Sequence, residues 1–188
     1  IRTILTRMKL NLELHKLDKS GLKKDLTEME EMVEEYLKYA KGEDEERIQK
    51  VNIVNLLNLI KKRYSRKNIF FKNNKKINIF IKLNSIKRCV NNVLSNSLKF
   101  SKKIEVTCNK VKGYVEIIID DDGPGIPKSE RKKVLQPFYR VEGSRNRNTG
   151  GAGLGITIAA DIINNHGGNF FLEKSPLGGL RAKIYLPT

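Results

Sequence analysis

Tyr114-Val-Glu-Ile-Ile-Ile-Asp-Asp-Asp-Gly-Pro-Gly-Ile-Pro127 is an apolar run that ends abruptly in acids and glycines. Its β-branched residues predict a strand over 114–120, and the Asp-Gly-Pro-Gly sequence predicts that the chain then leaves the sheet. A carboxylate at a strand end can accept a hydrogen bond from the amino group of adenine, whereas guanine would present a repelling oxygen there. Gly123 and Gly125 let the backbone approach a flat ring and adopt positive φ. An ordinary Asp-Gly turn uses the same residues. The alternating oxygen ligands and distal Glu of a calcium-binding EF-hand loop are missing.

Working outward, a strand over 104–109 precedes this one, and the Lys112-Gly113 turn predicts a hairpin between them. Further strands are expected over 51–53, 69–72, 77–82, 169–174 and 180–186. Helices are expected over 56–64, 85–100 and 156–165, the middle one carrying Ile86, Val90, Val93, Leu94 and Leu98 on one side. Helices mixed with mostly hairpin-connected strands predict an α+β fold, a two-layer α/β sandwich. Upstream, Ile1, Leu5, Met8 and Leu12, then Leu22, Leu26, Met29, Val33, Tyr36 and Ala40, recur at steps of three and four around the turn Asp18-Lys-Ser-Gly21. This is the pattern of an antiparallel helical hairpin. Its narrow seam predicts a homodimer in which two hairpins form a four-helix bundle. The organisation read from the sequence is therefore a hairpin over 1–41, a polar linker over 42–47 and a sandwich over 48–188.

Three other segments carry chemistry. On the helix over 85–100, Asn92, Asn96 and Lys99 share one face. Amide oxygens suit Mg²⁺, which completes its shell with water and phosphate, and Lys99 lies one turn on to neutralise that phosphate. A solvated face in an Asn-rich chain would look the same. Leu135-Gln-Pro-Phe-Tyr-Arg140 leads into a polar run over 141–149 that contains Arg145 and Arg147, as a lid over a charged ligand or a simple loop would. Thr149-Gly-Gly-Ala-Gly-Leu-Gly155 then enters an apolar helix, which exposes backbone N–H groups to an anion. The glycines come too late for a dinucleotide-binding βαβ unit, and no P-loop lysine follows them.

Composition narrows the classes. The 188 residues are 39% hydrophobic and 31% charged, which fits a folded domain rather than a disordered one. No stretch approaches the roughly 20 apolar residues of a membrane span. Cys89 and Cys108 form no metal-binding pair and are expected to be buried. The net charge is +16, with residues 1–50 near neutral at −1 and residues 51–188 at +17. Clustered Arg forks and stacked aromatics are lacking, so nucleic acid is not the expected partner. A polyanionic ligand or acidic partner suits the field.

Taken in order, the four segments resemble those of the GHKL ATPase superfamily, and most closely the sensor histidine kinases. Asn92–Ser101 is similar to their N box, Asp121–Gly125 to the G1 box, Pro137–Arg140 to the F box and Gly150–Gly155 to the G2 box. Gly178-Gly179 is similar to the turn before their last strand. The resemblance implies a Bergerat ATP-binding fold, with ATP and Mg²⁺ as ligands. It implies that Asn96 holds the metal with Asn92 close by, that Lys99 meets phosphate and that Phe100 lines the adenine pocket. Asp121 would read the adenine N6, beside Gly123, Gly125 and Ile126. Phe138, Arg140, Thr149, Gly150, Gly151, Gly153, Leu154 and Gly155 would complete the nucleotide site, with Lys99 and Arg140 supplying catalytic charge.

Ile1-Arg-Thr-Ile-Leu-Thr-Arg-Met8 is similar to the segment just after the phosphoacceptor histidine of the osmosensor EnvZ-like kinases. That match implies a histidine two positions before Ile1, and Thr3 in the role of dephosphorylating a response regulator of the OmpR-like class. Ile4 replaces the usual proline, which removes an expected helix kink and bears on the balance of kinase and phosphatase states. His15 and His166 do not substitute for the missing histidine. His15 lacks an acid after it, and His166 precedes Gly167-Gly168 as a helix-ending residue would. The expected whole is a cytoplasmic portion of a kinase anchored in the bacterial inner membrane by upstream segments. A non-catalytic dimeric scaffold of the same fold, another GHKL ATPase and a basic nucleic-acid module are the alternatives.

Overall fold

The computed structural model describes residues 46–64, 68–72, 76–141 and 153–188, together with Gly21, Lys23, Leu26, Thr27, Met29, Glu30 and Val33. Those seven are helical, and Met29 rests against the core described below. The rest of the expected hairpin, Thr3, His15, the run over 142–149, Gly150 and Gly151 lie outside the described residues.

The chain enters through β1 (Gln49–Asn52) and turns at once into α1 (Ile53–Arg63). The strand expected over 51–53 therefore starts two residues too late and ends one residue too late. Asn52 is the helix cap, its Oδ1 accepting the N–H of Asn55 at 3.0 Å, so Ile53 opens the helix. Next come β2 (Ile69–Lys72), β3 (Asn78–Ile81), α2 (Leu83–Phe100), β4 (Ile104–Val111) and β5 (Tyr114–Asp121). A single 3₁₀ turn, Lys133–Leu135, precedes α3 (Gly155–Asn165), and β6 (Asn169–Lys174) and β7 (Leu180–Pro187) close the chain.

Five strands form one sheet in the order β2-β4-β5-β7-β6, while β1 and β3 pair separately as an antiparallel ribbon. β4 and β5 form the expected hairpin, with Val111 opposite Tyr114 and Gly113 at φ 71° in the turn. β2 pairs parallel to β4. That pairing demands a crossover, which α2 supplies.

Alternation along the strands sends Val106, Val115, Ile117, Ile119, Ala182 and Ile184 to one face, where each is at most 1% exposed against the helices. From α2, Ile86, Cys89, Val90, Val93 and Leu94 fill the facing layer. Each fully buried Ile or Leu contributes about 1.5–3 kcal/mol. The opposite face carries cross-strand polar pairs instead. Asp120 takes a two-pronged ion pair from Arg181 at 2.8 Å, and Tyr185 donates to Glu116 at 2.6 Å, which pushes the phenol up to about 12. Each such part-buried pair is worth about 1–3 kcal/mol, no more than one buried Ile or Leu, so the far more numerous residues of the apolar layer hold the fold. Cys89 and Cys108 are both buried thiols, Cys89 donating its S–H to the Ala159 carbonyl at 3.6 Å, and burial pushes the Cys108 thiol up to about 12.

The linker end is fastened to α2. The Glu46 carboxylate accepts the N–H groups of Asn84 and Ser85 at 2.6 and 3.0 Å and the Ser85 hydroxyl at 2.8 Å. Burial alone would raise the Glu46 carboxyl, but these donors outweigh it and leave it below its ordinary value. His166 caps the end of α3, with its backbone N–H on Ile162 and Ile163 and Gly167 following at φ 68°. Its Nε2 accepts the N–H of Lys82 at 3.2 Å, so it serves packing, as its place before two glycines implies.

Candidate nucleotide site

Asp121 is the last residue of β5 and is 3% exposed. Its Oδ1 accepts the N–H groups of Gly123 at 3.0 Å and Leu180 at 2.9 Å, and its Oδ2 accepts the Ser97 hydroxyl at 2.8 Å. Its carbonyl oxygen accepts the N–H of Gly179 at 3.1 Å. The turn before the last strand thus buttresses the carboxylate from below while α2 holds it from the side. Asp122 is tied back to the end of α2, its Oδ1 accepting the N–H groups of Lys103 and Lys102 at 2.9 and 2.8 Å. Those two donors, Lys103 first, hold the Asp122 carboxyl below its ordinary value.

The glycines are there for space. A Cβ on Gly123 would stand 2.9 Å from the Phe100 carbonyl oxygen, so the loop crosses directly over the end of α2. Gly125, at φ 70°, lies against the Gly179 carbonyl, 3.0 Å from where its Cβ would be. Phe100 and Ile126 are both half-buried beside this crossing.

Along α2, Asn92, Asn96, Lys99 and Phe100 run about 12 Å at 1.5 Å per residue. Asn92 and Asn96 are half-buried and Lys99 is exposed. At the far end Asn92 meets the start of α3, with its Cβ and carbonyl 3.9 Å from where a Cβ on Gly155 would be. The Asn92 Nδ2 is buried with no hydrogen-bond partner among the described residues, as is the Thr157 hydroxyl in the first turn of α3. The α3 N-terminus has no side-chain cap and no acid in its first turn. An orphaned amide NH₂ and an uncapped helix start are donors that fit phosphate oxygens, while the amide oxygens of Asn92 and Asn96 are of the type a hard cation takes. Leu154 is 1% exposed, its side chain in the core, which leaves only its backbone for a ligand.

The Pro137–Arg140 segment joins the site through Gly153. The Phe138 N–H donates to the Gly153 carbonyl at 3.2 Å, and a Cβ on Gly153 would stand 3.0 Å from the Tyr139 carbonyl oxygen. Gly153 takes φ 73°, and Phe138 itself takes φ 64°, a strained state for a bulky residue. Tyr139 donates its hydroxyl to Glu130, which also holds Lys133 at 2.9 Å. These bonds, that of Tyr139 foremost, hold the Glu130 carboxyl below its ordinary value. Arg140 is half-buried.

The structure therefore brings Phe100, Asp121, Gly123 and Gly125 together at one end of α2, and Asn92, Gly153 and Gly155 at the other. Sequence reasoning missed the Ser97 hydroxyl and the Leu180 N–H on Asp121, and the Tyr139–Glu130 bond. The one signal for Ser97 was a polar residue on the apolar stripe of Val90, Val93 and Leu94.

Residues 82–188 match the family described as histidine kinase-, DNA gyrase B- and HSP90-like ATPase. The chain is 42% identical over 105 residues to the sensor histidine kinase CpxA of Escherichia coli, a stretch covering 55% of this chain and 23% of CpxA. To the sensor histidine kinase WalK of Bacillus subtilis it is 34% identical over 107 residues, 54% of this chain and 18% of WalK. The chain thus spans about a quarter or less of these relatives. Among solved structures, the ATP-binding domain of PrrB from Mycobacterium tuberculosis is similar with a TM-score of 0.63 at 27% identity, covering 74% of this chain and 96% of that one. The NMR structure of the histidine kinase domain of the E. coli osmosensor EnvZ is similar with a TM-score of 0.60 at 28% identity, covering 78% of this chain and 92% of that one.

Proposed function

The chain belongs to the histidine kinase-, DNA gyrase B- and HSP90-like ATPase family, and from that premise we propose that it is the ATP-binding, catalytic portion of a two-component sensor histidine kinase. The observation that carries the reading is the Asp121 carboxylate, buried at a strand end and fixed by Gly123, Leu180 and Ser97. A buried acceptor with open lone-pair capacity suits the amino group of adenine. The triphosphate then extends along α2 towards Asn92 and the start of α3.

In the whole kinase, an imidazole nitrogen attacks the γ-phosphorus of ATP, a nitrogen–phosphorus bond forms, and the bridging oxygen leaves with ADP. The phosphoryl group passes next to an aspartate of a response regulator. Such transfers need mainly positioning and charge stabilisation. Lys99 and Arg140 supply positive charge, and the backbone N–H groups of 149–155 hold the phosphates in line. Asn96 would hold Mg²⁺, which when bound neutralises phosphate charge. Phe138 and Ile126 flank the nucleotide. The acceptor histidine lies upstream of Ile1, and Thr3 serves the reverse, phosphatase reaction toward a regulator of the OmpR-like class, as in EnvZ-like kinases. The hairpin over 1–41 dimerises, the linker over 42–47 joins it to the sandwich over 48–188, and upstream segments anchor the protein in the inner membrane.

The test is to extend the chain upstream by a histidine-bearing segment and supply γ-labelled ATP with Mg²⁺. An acid-labile phosphohistidine is expected, and Asn96→Ala is expected to slow its formation by about 100-fold or more. ATP binding without any label would mark the chain as a non-catalytic scaffold that keeps the fold.

A further inference from the structure

Ser97 sits where a hydrophobic residue is expected. It follows Val93 by four residues and Leu94 by three on the buried stripe of α2, and it is 3% exposed. The other buried hydroxyl of α2, Ser85, is accounted for by Glu46 at the helix start. The Ser97 backbone carbonyl is already occupied, accepting the Ser101 N–H at 2.9 Å and the Ser101 hydroxyl at 2.7 Å. The Ser97 hydroxyl has one proton, and it goes to Asp121 Oδ2 at 2.8 Å.

Counting lone pairs gives this bond a consequence. A carboxylate offers about four acceptor positions, two on each oxygen. Gly123 and Leu180 fill both positions on Oδ1, and Ser97 fills one on Oδ2. One position remains, enough for a single N–H. The hydroxyl proton is also committed, so Ser97 has none to offer to an oxygen placed where an amino group should be.

We propose that Ser97 is a positioning residue for purine selectivity, which orients Asp121 to leave one acceptor for a 6-amino group and withholds its own proton from a 6-oxo purine. This rests on the reading of Asp121 as the adenine acceptor. Without the hydroxyl, the carboxylate loses its one anchor on Oδ2 among the described residues and gains a second open acceptor. Water can then enter the gap and bridge to a 6-oxo group.

The experiment titrates the unchanged chain, Ser97→Ala and Ser97→Thr with ATP and with inosine triphosphate, which carries a 6-oxo group in place of the 6-amino group. The unchanged chain is expected to prefer ATP. Ser97→Ala is expected to weaken ATP about tenfold and to narrow the ATP-to-inosine preference by a similar factor. Ser97→Thr keeps the hydroxyl and is expected to restore the preference. If Ser97→Ala weakens both nucleotides equally, its role is structural and the proposal falls while the Asp121 reading stands. If the unchanged chain shows no preference for ATP, both fall together.

Discussion

Asp121→Asn is expected to lower the affinity for ATP about 100-fold while leaving the fold intact. The amide has the shape of the carboxylate, and its oxygen can still accept the Gly123 and Leu180 N–H groups that bond Oδ1. The Ser97 hydroxyl can turn to accept from the new NH₂. What cannot be repaired is the meeting with adenine, where a donor now faces a donor in a site that is 3% exposed. Losing a hydrogen bond to a charged group costs about 1.5–3 kcal/mol, and each 1.4 kcal/mol is a factor of about ten. Guanine presents an oxygen at the same position, so the preference for ATP over GTP should shrink by more than the loss for ATP alone. Parallel calorimetric titrations with the two nucleotides measure this, and unchanged melting confirms the fold. A variant that still separates ATP from GTP as the unchanged chain does would mean that Asp121 is not the reader.

Gly179→Ala is expected to fail differently, losing both stability and nucleotide. A Cβ there would stand 2.5 Å from the Gly123 nitrogen and 2.6 Å from the Asp121 carbonyl oxygen, and would also collide with the Asp121 carboxylate. The first two are backbone atoms in a loop already pressed against Phe100, so no side-chain rotation relieves the clash. Overpacking of this kind costs about 1–3 kcal/mol, and Tm should fall by several degrees. The loop that carries Asp121 has to shift, so ATP affinity should fall with it. Its neighbour provides the control. Gly178 takes φ 110°, but nothing lies within 4 Å of where its Cβ would be. Gly178→Ala therefore imposes backbone strain without a clash and should lower Tm while sparing ATP affinity. Thermal melts and titrations of the two variants separate strain from collision. Equal loss of ATP binding in both would contradict the buttress described for Gly179.

The residues that meet across space explain what the sequence revealed and what it hid. Strand β5, its exit at Asp121 and the glycines after it were legible because alternation, acid and glycine lie within one short stretch. The end of α3 was equally so, since Gly167 after an apolar run is a local signal, whereas the Asn52 cap was hidden inside an expected strand and α1 starts three residues before the expected helix. The parallel partnership of β2 with β4 was not legible. β2 and β3 flank a polar turn yet belong to different sheets, because pairing follows a register set by distant strands rather than by the turn alone. The Ser97–Asp121 bond spans 24 residues of sequence, and a lone serine on an apolar stripe announces a polar partner without naming it. Phe138 at positive φ had no signal at all, since the residue is neither Gly nor Asn. The site motifs were readable as types, while the hydrogen bonds that aim them depended on the fold.

In the proposed function, Asp121 and the far end of α2 form one nucleotide site. Calorimetric titration of the unchanged chain with ATP and with GTP, each with and without Mg²⁺, tests it most directly. Saturable ATP binding that strengthens with Mg²⁺ is expected, with GTP binding weaker by about 100-fold or more. Absence of ATP binding, or equal binding of ATP and GTP, would contradict it.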